Sequence, residues 1–126
     1  MILIVEDEAA LGASLERLFK LEGLPAETVT SGMEALVLLG SKLPSLIVLD
    51  LKLDGVSGLD LLRTIRKDRR FRSIPVMIYT SDIKRESEQA AINAGAQAYF
   101  VKGTVGMDEI LARARELMGP SKGFTS

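Results

Sequence analysis

Short apolar runs alternate along the whole chain with longer segments in which apolar residues recur at helical spacing. The apolar runs are residues 2–5, 26–30, 46–49, 76–79 and 98–101, the second with polar residues mixed in. Repeated units of one strand and one helix build a parallel sheet with helices on both faces. The alternation therefore predicts an α/β fold, a doubly wound five-stranded parallel sheet covered on both sides.

The polarity of the runs predicts their order in the sheet. The second run is the most polar and the fifth is short, so both belong at sheet edges, with the three apolar runs between them. The predicted order is 2-1-3-4-5. The last helical segment carries Ile110 and Ala114 on one face. Residues 1–118 are thus predicted to form one domain, and residues 119–126 a tail or the start of a linker.

Local signals mark several helix ends. Ser31 and Glu34 form a Ser-x-x-Glu capping box at the start of the second helix. Gly23 and Gly95 are placed to end the first and fourth helices, since glycine readily adopts the left-handed conformation that follows a helix. The fourth helix is predicted to run from about residue 83 to residue 94.

Composition excludes several classes of function. The chain has 126 residues, no cysteine and no histidine, which excludes disulfides, thiolate zinc sites and Ser-His-Asp catalysis. No apolar run approaches the roughly 20 residues that span a bilayer, and a basic signal-peptide start is absent. With a net charge of −1, we expect a cytoplasmic protein without membrane or direct nucleic-acid binding, whose chemistry depends on carboxylates, hydroxyls and lysines.

Four of the five predicted strands stop at a residue that can take part in chemistry. Glu6 and Asp7 follow the first strand, Asp50 the third, Thr80 the fourth and Lys102 the fifth. Each alone has an ordinary explanation as a helix cap, a dipole partner or a solvated loop residue. Because the carboxyl ends of parallel strands lie along one sheet edge, however, these side chains are expected to converge in one pocket.

Such a pocket predicts a cation and a phosphoryl group. Three carboxylates repel one another unless a divalent ion neutralises them, and oxygen ligands favour Mg²⁺, with Mn²⁺ as an alternative. Lys102 would offset charge on a transferring phosphoryl group, and the Thr80 hydroxyl would donate to one of its oxygens. Asp50, in the middle of the row, is the expected nucleophile.

These motifs, in this order and at these intervals, resemble those of response-regulator receiver domains, whose strand order is flavodoxin-like. The resemblance covers residues 1 to about 118. It is carried by Ile2-Leu3-Ile4-Val5-Glu6-Asp7-Glu8, by Val48-Leu49-Asp50-Leu51 with Gly55 and Gly58 beyond it, by Thr80-Ser81, and by Tyr99-Phe100-Val101-Lys102.

The resemblance implies that a histidine kinase or histidine phosphotransfer protein donates a phosphoryl group to Asp50. It also implies that Asp7, Asp50 and the Lys52 backbone carbonyl hold Mg²⁺ directly, with Glu6 acting through water. Chemically, the new phosphate adds about one negative charge, which can bias a two-state element.

Thr80 and Tyr99 would then be the switch pair of the family. The resemblance implies that the hydroxyl moves toward the phosphoryl group while the ring turns inward. The surface of the fourth helix, fifth strand and fifth helix would change as a result and contact a downstream output protein or domain, or a second copy of the chain. The alternative for Tyr99 is plain packing of an aromatic residue in a strand.

The chain departs from the family pattern at two positions. Gly103 stands where a proline usually follows the lysine, and Asp54 replaces a common proline after Asp50, so we expect a looser site. Lys52 and Asp82, each two residues beyond a site residue, are expected to flank the pocket mouth. We hypothesise that they pair, impede water and slow dephosphorylation.

One basic segment is left without a role by this interpretation. Positive charge at a helix end is favoured by the helix dipole, so an acidic or nucleic-acid partner is the weaker interpretation. The segment holds six of the sixteen basic residues: Arg63, Arg66, Lys67, Arg69, Arg70 and Arg72.

Two other functions remain open at this point. A magnesium-dependent phosphatase with an aspartate nucleophile would use the same pocket, but it needs a second carboxylate two residues after the nucleophile, where this chain has Lys52. A receiver-like interaction module that is never phosphorylated is the other alternative. A nucleotide-binding or flavin-binding domain is weaker still, since neither Gly-x-Gly-x-x-Gly nor a Walker loop occurs.

Overall fold

The computed structural model describes residues 1–119 and contains one five-stranded sheet with five helices. All strand pairs are parallel, and the order is β2-β1-β3-β4-β5, which confirms the predicted fold class and order. Residues 120–126 of the predicted tail lie outside the described residues. The strands are β1 Ile2–Val5, β2 Ala26–Val29, β3 Leu46–Leu49, β4 Val76–Thr80 and β5 Ala98–Val101; the helices are α1 Ala9–Leu21, α2 Gly32–Leu39, α3 Gly58–Lys67, α4 Arg85–Asn93 and α5 Met107–Met118.

Burial follows the polarity of the strands. Every residue of β1, β3 and β4 is buried, whereas β2 and β5 bury only Ala26 and Ala98 and lie at the edges. One core cluster packs α2, α3 and α4 against one face of the sheet, and a second packs α1 and α5 against the other. In residues 1–119, no helix combines the length and apolar character needed to cross a bilayer.

Helix ends are set by caps. The Ser31 hydroxyl accepts a hydrogen bond from the Glu34 N–H at 3.1 Å, as the capping box predicts. Gly23 has a φ of +79°, which suits the residue after a helix. The fourth helix was predicted to start at about residue 83 and starts at Arg85, two residues later. The reason is a turn before the helix, in which the Asp82 carboxylate accepts a hydrogen bond from the Lys84 N–H at 2.9 Å.

The basic segment divides into structural and exposed residues. The half-buried Arg66 guanidinium donates to the carbonyl oxygens of Gly95 at 2.8 and 3.1 Å and of Ile74 at 2.7 Å. Arg70 pairs with Asp68 at 2.8 Å and lies over a buried aromatic ring. At least two of the six cations, Arg66 and Arg70, therefore stabilise the end of α3 through contacts within the domain and are not available to bind another molecule.

Candidate functional site

The residues at the strand ends converge at the carboxyl edge of the sheet. The Asp50 N–H donates to the Val5 carbonyl at 3.1 Å, which sets the first and third strand ends side by side. Carboxylate oxygens of Glu6, Asp7 and Asp50 lie within 4.8 Å of one another. Thr80 is the last residue of β4, fully buried, and its carbonyl accepts from the Lys102 N–H at 2.8 Å. Glu6, Asp7, Asp50 and Lys102 thus lie together at this edge, and Thr80 lies next to Lys102 at the end of the neighbouring strand.

Lys102 is the cation at the centre of this group. Its Nζ lies 2.8 Å from Asp50 Oδ2, 2.9 Å from Glu6 Oε1 and 3.6 Å from Glu8 Oε1. The Asp50 and Glu6 side chains are only 3% and 2% exposed, so water screens these contacts poorly. Glu8, which the sequence did not single out, completes a ring of three carboxylates around one ammonium group.

Opposing effects set the ionisation of these groups. Burial raises the pKa of Glu6, and the hydrogen bond from Lys102 and the Glu8 N–H offset this only in part. Burial alone would lower the pKa of Lys102, but its hydrogen bonds to Asp50 and Glu6 outweigh that effect, so the pKa is raised. Lys102 is therefore firmly charged, and ionised Glu6 depends on it.

The Asp50 carboxylate is fixed on both oxygens. Oδ1 accepts from the Lys52 N–H at 3.0 Å, and Oδ2 accepts from Lys102. Behind it, the start of α3 comes so close that a Cβ on Gly58 would lie 2.1 Å from the Asp50 carbonyl oxygen and 2.6 Å from Leu51 Cα. Only glycine fits there, which explains the glycine eight residues after Asp50.

The donor set suits a hard divalent cation. The Glu6, Asp7 and Asp50 carboxylates lie together, and within the described residues the one ammonium group in contact with this cluster is that of Lys102, which contacts Glu6 and Asp50. Asp7 is the least buried of the three. Carboxylate oxygens are the ligands that Mg²⁺ prefers, and the remaining ligands of this ion are normally water.

The two switch candidates, Thr80 and Tyr99, contact the backbone of the same residue, Asp82. The Asp82 N–H donates to Thr80 Oγ1 at 3.3 Å, and the Tyr99 hydroxyl donates to the Asp82 carbonyl oxygen at 2.9 Å. The Tyr99 ring packs against the core cluster formed by α2, α3 and α4. Burial, followed by the nearby Asp82 carboxylate, raises the pKa of Tyr99 to about 12.

The hypothesis that Lys52 and Asp82 pair is not realised in residues 1–119. The Asp82 carboxylate accepts instead from the Lys84 N–H at 2.9 Å and from the Ser87 hydroxyl at 2.7 Å. These contacts, the Ser87 bond first, lower the pKa of Asp82, and Lys52 adds only a weaker electrostatic effect. Sequence reasoning missed Ser87, although an aspartate shortly before a helix, here three residues before Arg85, is a known turn signal.

The two departures from the family pattern lie in exposed loops. Gly103 has a φ of +85°, a conformation that proline cannot adopt, and a Cβ there would meet nothing within 4 Å. Asp54 is exposed beyond β3. A proline at position 103 would therefore require a different backbone conformation next to Lys102.

The chain is similar to known response regulators throughout. A family model for the response regulator receiver domain matches residues 2–115. The phosphate regulon transcriptional regulatory protein PhoB of Rhizobium meliloti is 32% identical over 121 residues, which are 96% of this chain and 53% of PhoB. The chain thus spans about half the length of such curated relatives.

Solved structures agree on the fold. A CheY-like response regulator receiver domain protein from Methanospirillum hungatei superposes with a TM-score of 0.86 at 28% identity, over 93% of this chain and 91% of that one. The receiver domain of a sensor histidine kinase from Pseudomonas aeruginosa, solved with a magnesium ion coordinated in its active-site cleft, gives 0.84 at 22% identity, over 94% and 97% of the two chains.

Proposed function

Since the chain belongs to the receiver-domain family of two-component response regulators, we propose that a partner phosphohistidine transfers its phosphoryl group to Asp50. The observation that carries the proposal is the position of the Asp50 carboxylate, which is buried, bonded to Lys102 and adjacent to the Glu6 and Asp7 carboxylates. The chain acts as a phosphoacceptor rather than as a conventional enzyme, and its chemistry is confined to its own phosphorylation and dephosphorylation.

In the proposed transfer, one Asp50 carboxylate oxygen forms a bond to phosphorus. The phosphorus–nitrogen bond of the donor breaks, and its electron pair returns to the imidazole nitrogen. Lys102 Nζ lies 2.8 Å from Asp50 Oδ2, so the ammonium group can also contact the phosphoryl oxygens and offset their negative charge. Thr80 accepts from the Asp82 N–H, so its own hydroxyl hydrogen remains free to donate to a phosphoryl oxygen.

A divalent cation is part of this proposal. Glu6, Asp7, Asp50 and the Lys52 backbone carbonyl would hold Mg²⁺, with Mn²⁺ as a substitute of similar ligand preference. The magnesium in the Pseudomonas receiver domain supports this assignment. When bound, the ion would neutralise charge on the carboxylates and the incoming phosphoryl group.

The proposed partners follow from the family. A histidine kinase or histidine phosphotransfer protein supplies the phosphoryl group in the cytoplasm, and Thr80 and Tyr99 transmit its arrival to the surface of α4, β5 and α5. That surface would contact an output protein or domain, or a second copy of the chain. The receiver domain is proposed to span residues 1–118, and relatives such as PhoB, which are about twice as long as this chain, are consistent with an output region in the same protein.

Lys52 and Asp82 are proposed to tune the lifetime of the phosphoryl group separately rather than as a pair. Lys52 is exposed and lies two residues after Asp50, and its N–H donates a hydrogen bond to the Asp50 carboxylate. We expect Lys52→Ala to shorten the phosphoryl lifetime, because water reaches the site more easily. An unchanged decay rate, followed by intact mass, would remove Lys52 from this role.

Incubation with MgCl₂ and acetyl phosphate tests the proposed function directly. We expect one phosphoryl group per chain by intact mass, no label in Asp50→Asn, and an unaltered label in Asp60→Asn, an exposed aspartate on α3. Omitting MgCl₂ or adding a chelator should suppress labelling. Label on Asp50→Asn would refute the assignment, and multiple turnover on aryl phosphates would favour the phosphatase.

A further inference from the structure

The loop between β4 and α4 connects both switch residues through the backbone of one residue, Asp82. The Asp82 N–H contacts the Thr80 hydroxyl, and the Asp82 carbonyl contacts the Tyr99 hydroxyl. A displacement of Asp82 therefore changes the hydrogen bonds of both switch residues together. Whatever fixes Asp82 also fixes them.

The Asp82 side chain is fixed by the first turn of α4. The Ser87 hydroxyl donates to Asp82 Oδ2 at 2.7 Å, and the Lys84 N–H donates to Oδ1 at 2.9 Å. Hydrogen bonds to a charged acceptor belong to the stronger class. Ser87 is half-buried and, among the described residues, its hydroxyl donates only to this carboxylate.

Helix α4 has little else to hold its amino end. Ala91 is its only buried residue, and this residue lies toward the carboxyl end. Just beyond that end, the Gly95 carbonyl is bound by the Arg66 guanidinium. The carboxyl end is thus anchored by packing and by Arg66, whereas the amino end depends on the contact between Ser87 and Asp82.

We propose that Ser87 is a positioning residue of the switch, holding the Asp82 backbone where its N–H and its carbonyl bond Thr80 and Tyr99 at the same time. The inference rests on the proposed function, in which those two residues form the switch pair. Without the Ser87 hydroxyl, the Asp82 carboxylate turns to water and the loop moves. Tyr99 then loses its acceptor, and its ring leaves the core cluster more often.

The two tyrosines of the chain make the test specific. Labelling with 3-fluorotyrosine gives one ¹⁹F NMR resonance each for Tyr79 and Tyr99, and Tyr79→Phe assigns them. In the unphosphorylated protein, Ser87→Ala should move the Tyr99 resonance toward its position in the urea-unfolded chain. The ratio of inward to outward ring positions should fall about tenfold, the effect of losing one hydrogen bond to a charged acceptor.

Two variants separate positioning from general effects. Ser87→Thr keeps the hydroxyl and should restore the resonance of the parent protein. Ser14→Ala removes a hydroxyl from α1, on the other face of the sheet, that contacts only the Ala10 carbonyl at 3.0 Å. It should leave the Tyr99 resonance unmoved. Alanine is a better helix former than serine, so a shift in Ser87→Ala does not come from a lower helix propensity of α4.

The outcomes are decisive in either direction. If Ser87→Ala and Ser14→Ala give the same Tyr99 resonance, the proposal is overturned. If Ser87→Ala does not fold, Asp82→Ala provides the second measurement and should move the resonance at least as far. If Ser87→Ala and Asp82→Ala both fold, the variant that carries both substitutions should shift the Tyr99 resonance no further than Asp82→Ala alone. Failure of Asp50 labelling would refute the proposed function alone, since the NMR comparison uses unphosphorylated protein.

Discussion

A partly buried cation lies at each end of the strands, at what we call the carboxyl edge and the amino edge of the sheet. The two cations have different kinds of hydrogen-bond partner. Lys102, at the carboxyl edge, contacts the Asp50 and Glu6 carboxylates, and these contacts outweigh burial and raise its pKa. Arg66, at the amino edge, donates to neutral carbonyls such as that of Gly95, and burial lowers its pKa. Among residues 1–119, Arg66 has no charged partner to exchange, whereas the partners of Lys102 can accept a phosphoryl group or a cation. Reactivity therefore belongs to one edge only.

Helix α3 joins the two edges. Its first residue, Gly58, presses against the Asp50 backbone, and its penultimate residue, Arg66, binds the loop before β5. Helix α3 thus contacts the proposed phosphoacceptor, Asp50, at its amino end. At its carboxyl end, Arg66 contacts the loop that follows α4. Substitutions at its two ends compare the edges directly.

The largest effect is expected at Gly58. A Cβ there would lie 2.1 Å from a backbone oxygen that cannot rotate away, so Gly58→Ala should cost about 3 kcal/mol or more of unfolding free energy and abolish labelling of Asp50. Gly32→Ala is the matched control at the start of α2. Its Cβ would lie 3.1 Å from the Val56 side chain, which can shift, and at an ordinary contact distance of 3.5 Å from the Val56 carbonyl oxygen. The loss should therefore stay near 1 kcal/mol. Equal losses in urea denaturation would mean that α3 does not press on the phosphoacceptor.

The next effect tests the carboxyl edge itself. Lys102→Met leaves the buried Glu6 and Asp50 carboxylates without a counter-charge, which should cost about 3 kcal/mol at pH 7. Millimolar MgCl₂ should recover part of this loss, because a cation replaces the ammonium. Lys20→Met breaks only an exposed pair with Glu16 and should change stability by less than about 1 kcal/mol. If MgCl₂ stabilised the parent protein and the Lys102 variant equally, the two cations would not share these carboxylates.

A substitution at the amino edge should lower the unfolding free energy of the protein without changing the labelling of Asp50. Arg66→Met leaves the Gly95 and Ile74 carbonyls without their donor and should cost about 2 kcal/mol in urea denaturation. Labelling of Asp50 should be unchanged. Arg66→Lys should recover little, since an ammonium group cannot reproduce the guanidinium fork. Reduced labelling in a folded Arg66→Met protein would break the distinction between the edges.

The sequence predicted the fold and most of the cleft because both depend on pattern. Polar residues in β2 marked an edge strand, and parallel strands necessarily bring Asp50, Thr80 and Lys102 to one edge. It could not predict which partner each loop side chain selects. Asp82 was expected to contact Lys52 from position alone, yet α4 begins three residues later and the Asp82 carboxylate accepts from the Ser87 hydroxyl.

The basic segment shows the same limit. Its six cations are alike in sequence, and nothing in their spacing distinguishes the one that turns inward. Arg66 differs because its position on α3 faces the carbonyls of Gly95 and Ile74 across the amino edge. Tertiary position, which composition does not carry, decides between a structural and an exposed arginine.

The smallest effect is a difference in pH dependence at the carboxyl edge. Tyr99 has its pKa raised from 10.0 to about 12, so the folded state retains the phenol proton that the unfolded chain loses. Its contribution to stability is therefore fully present below pH 10 and is lost as the pH rises from 10 toward 12. Lys102 stays charged through most of this range because its own pKa is raised. Ultraviolet titration of the phenolate in Tyr79→Phe should show a midpoint near 12, and the corresponding fall in stability should be absent from Tyr99→Phe. A midpoint near 10 would mean that Tyr99 is solvated and that its contact with Asp82 does not persist in solution.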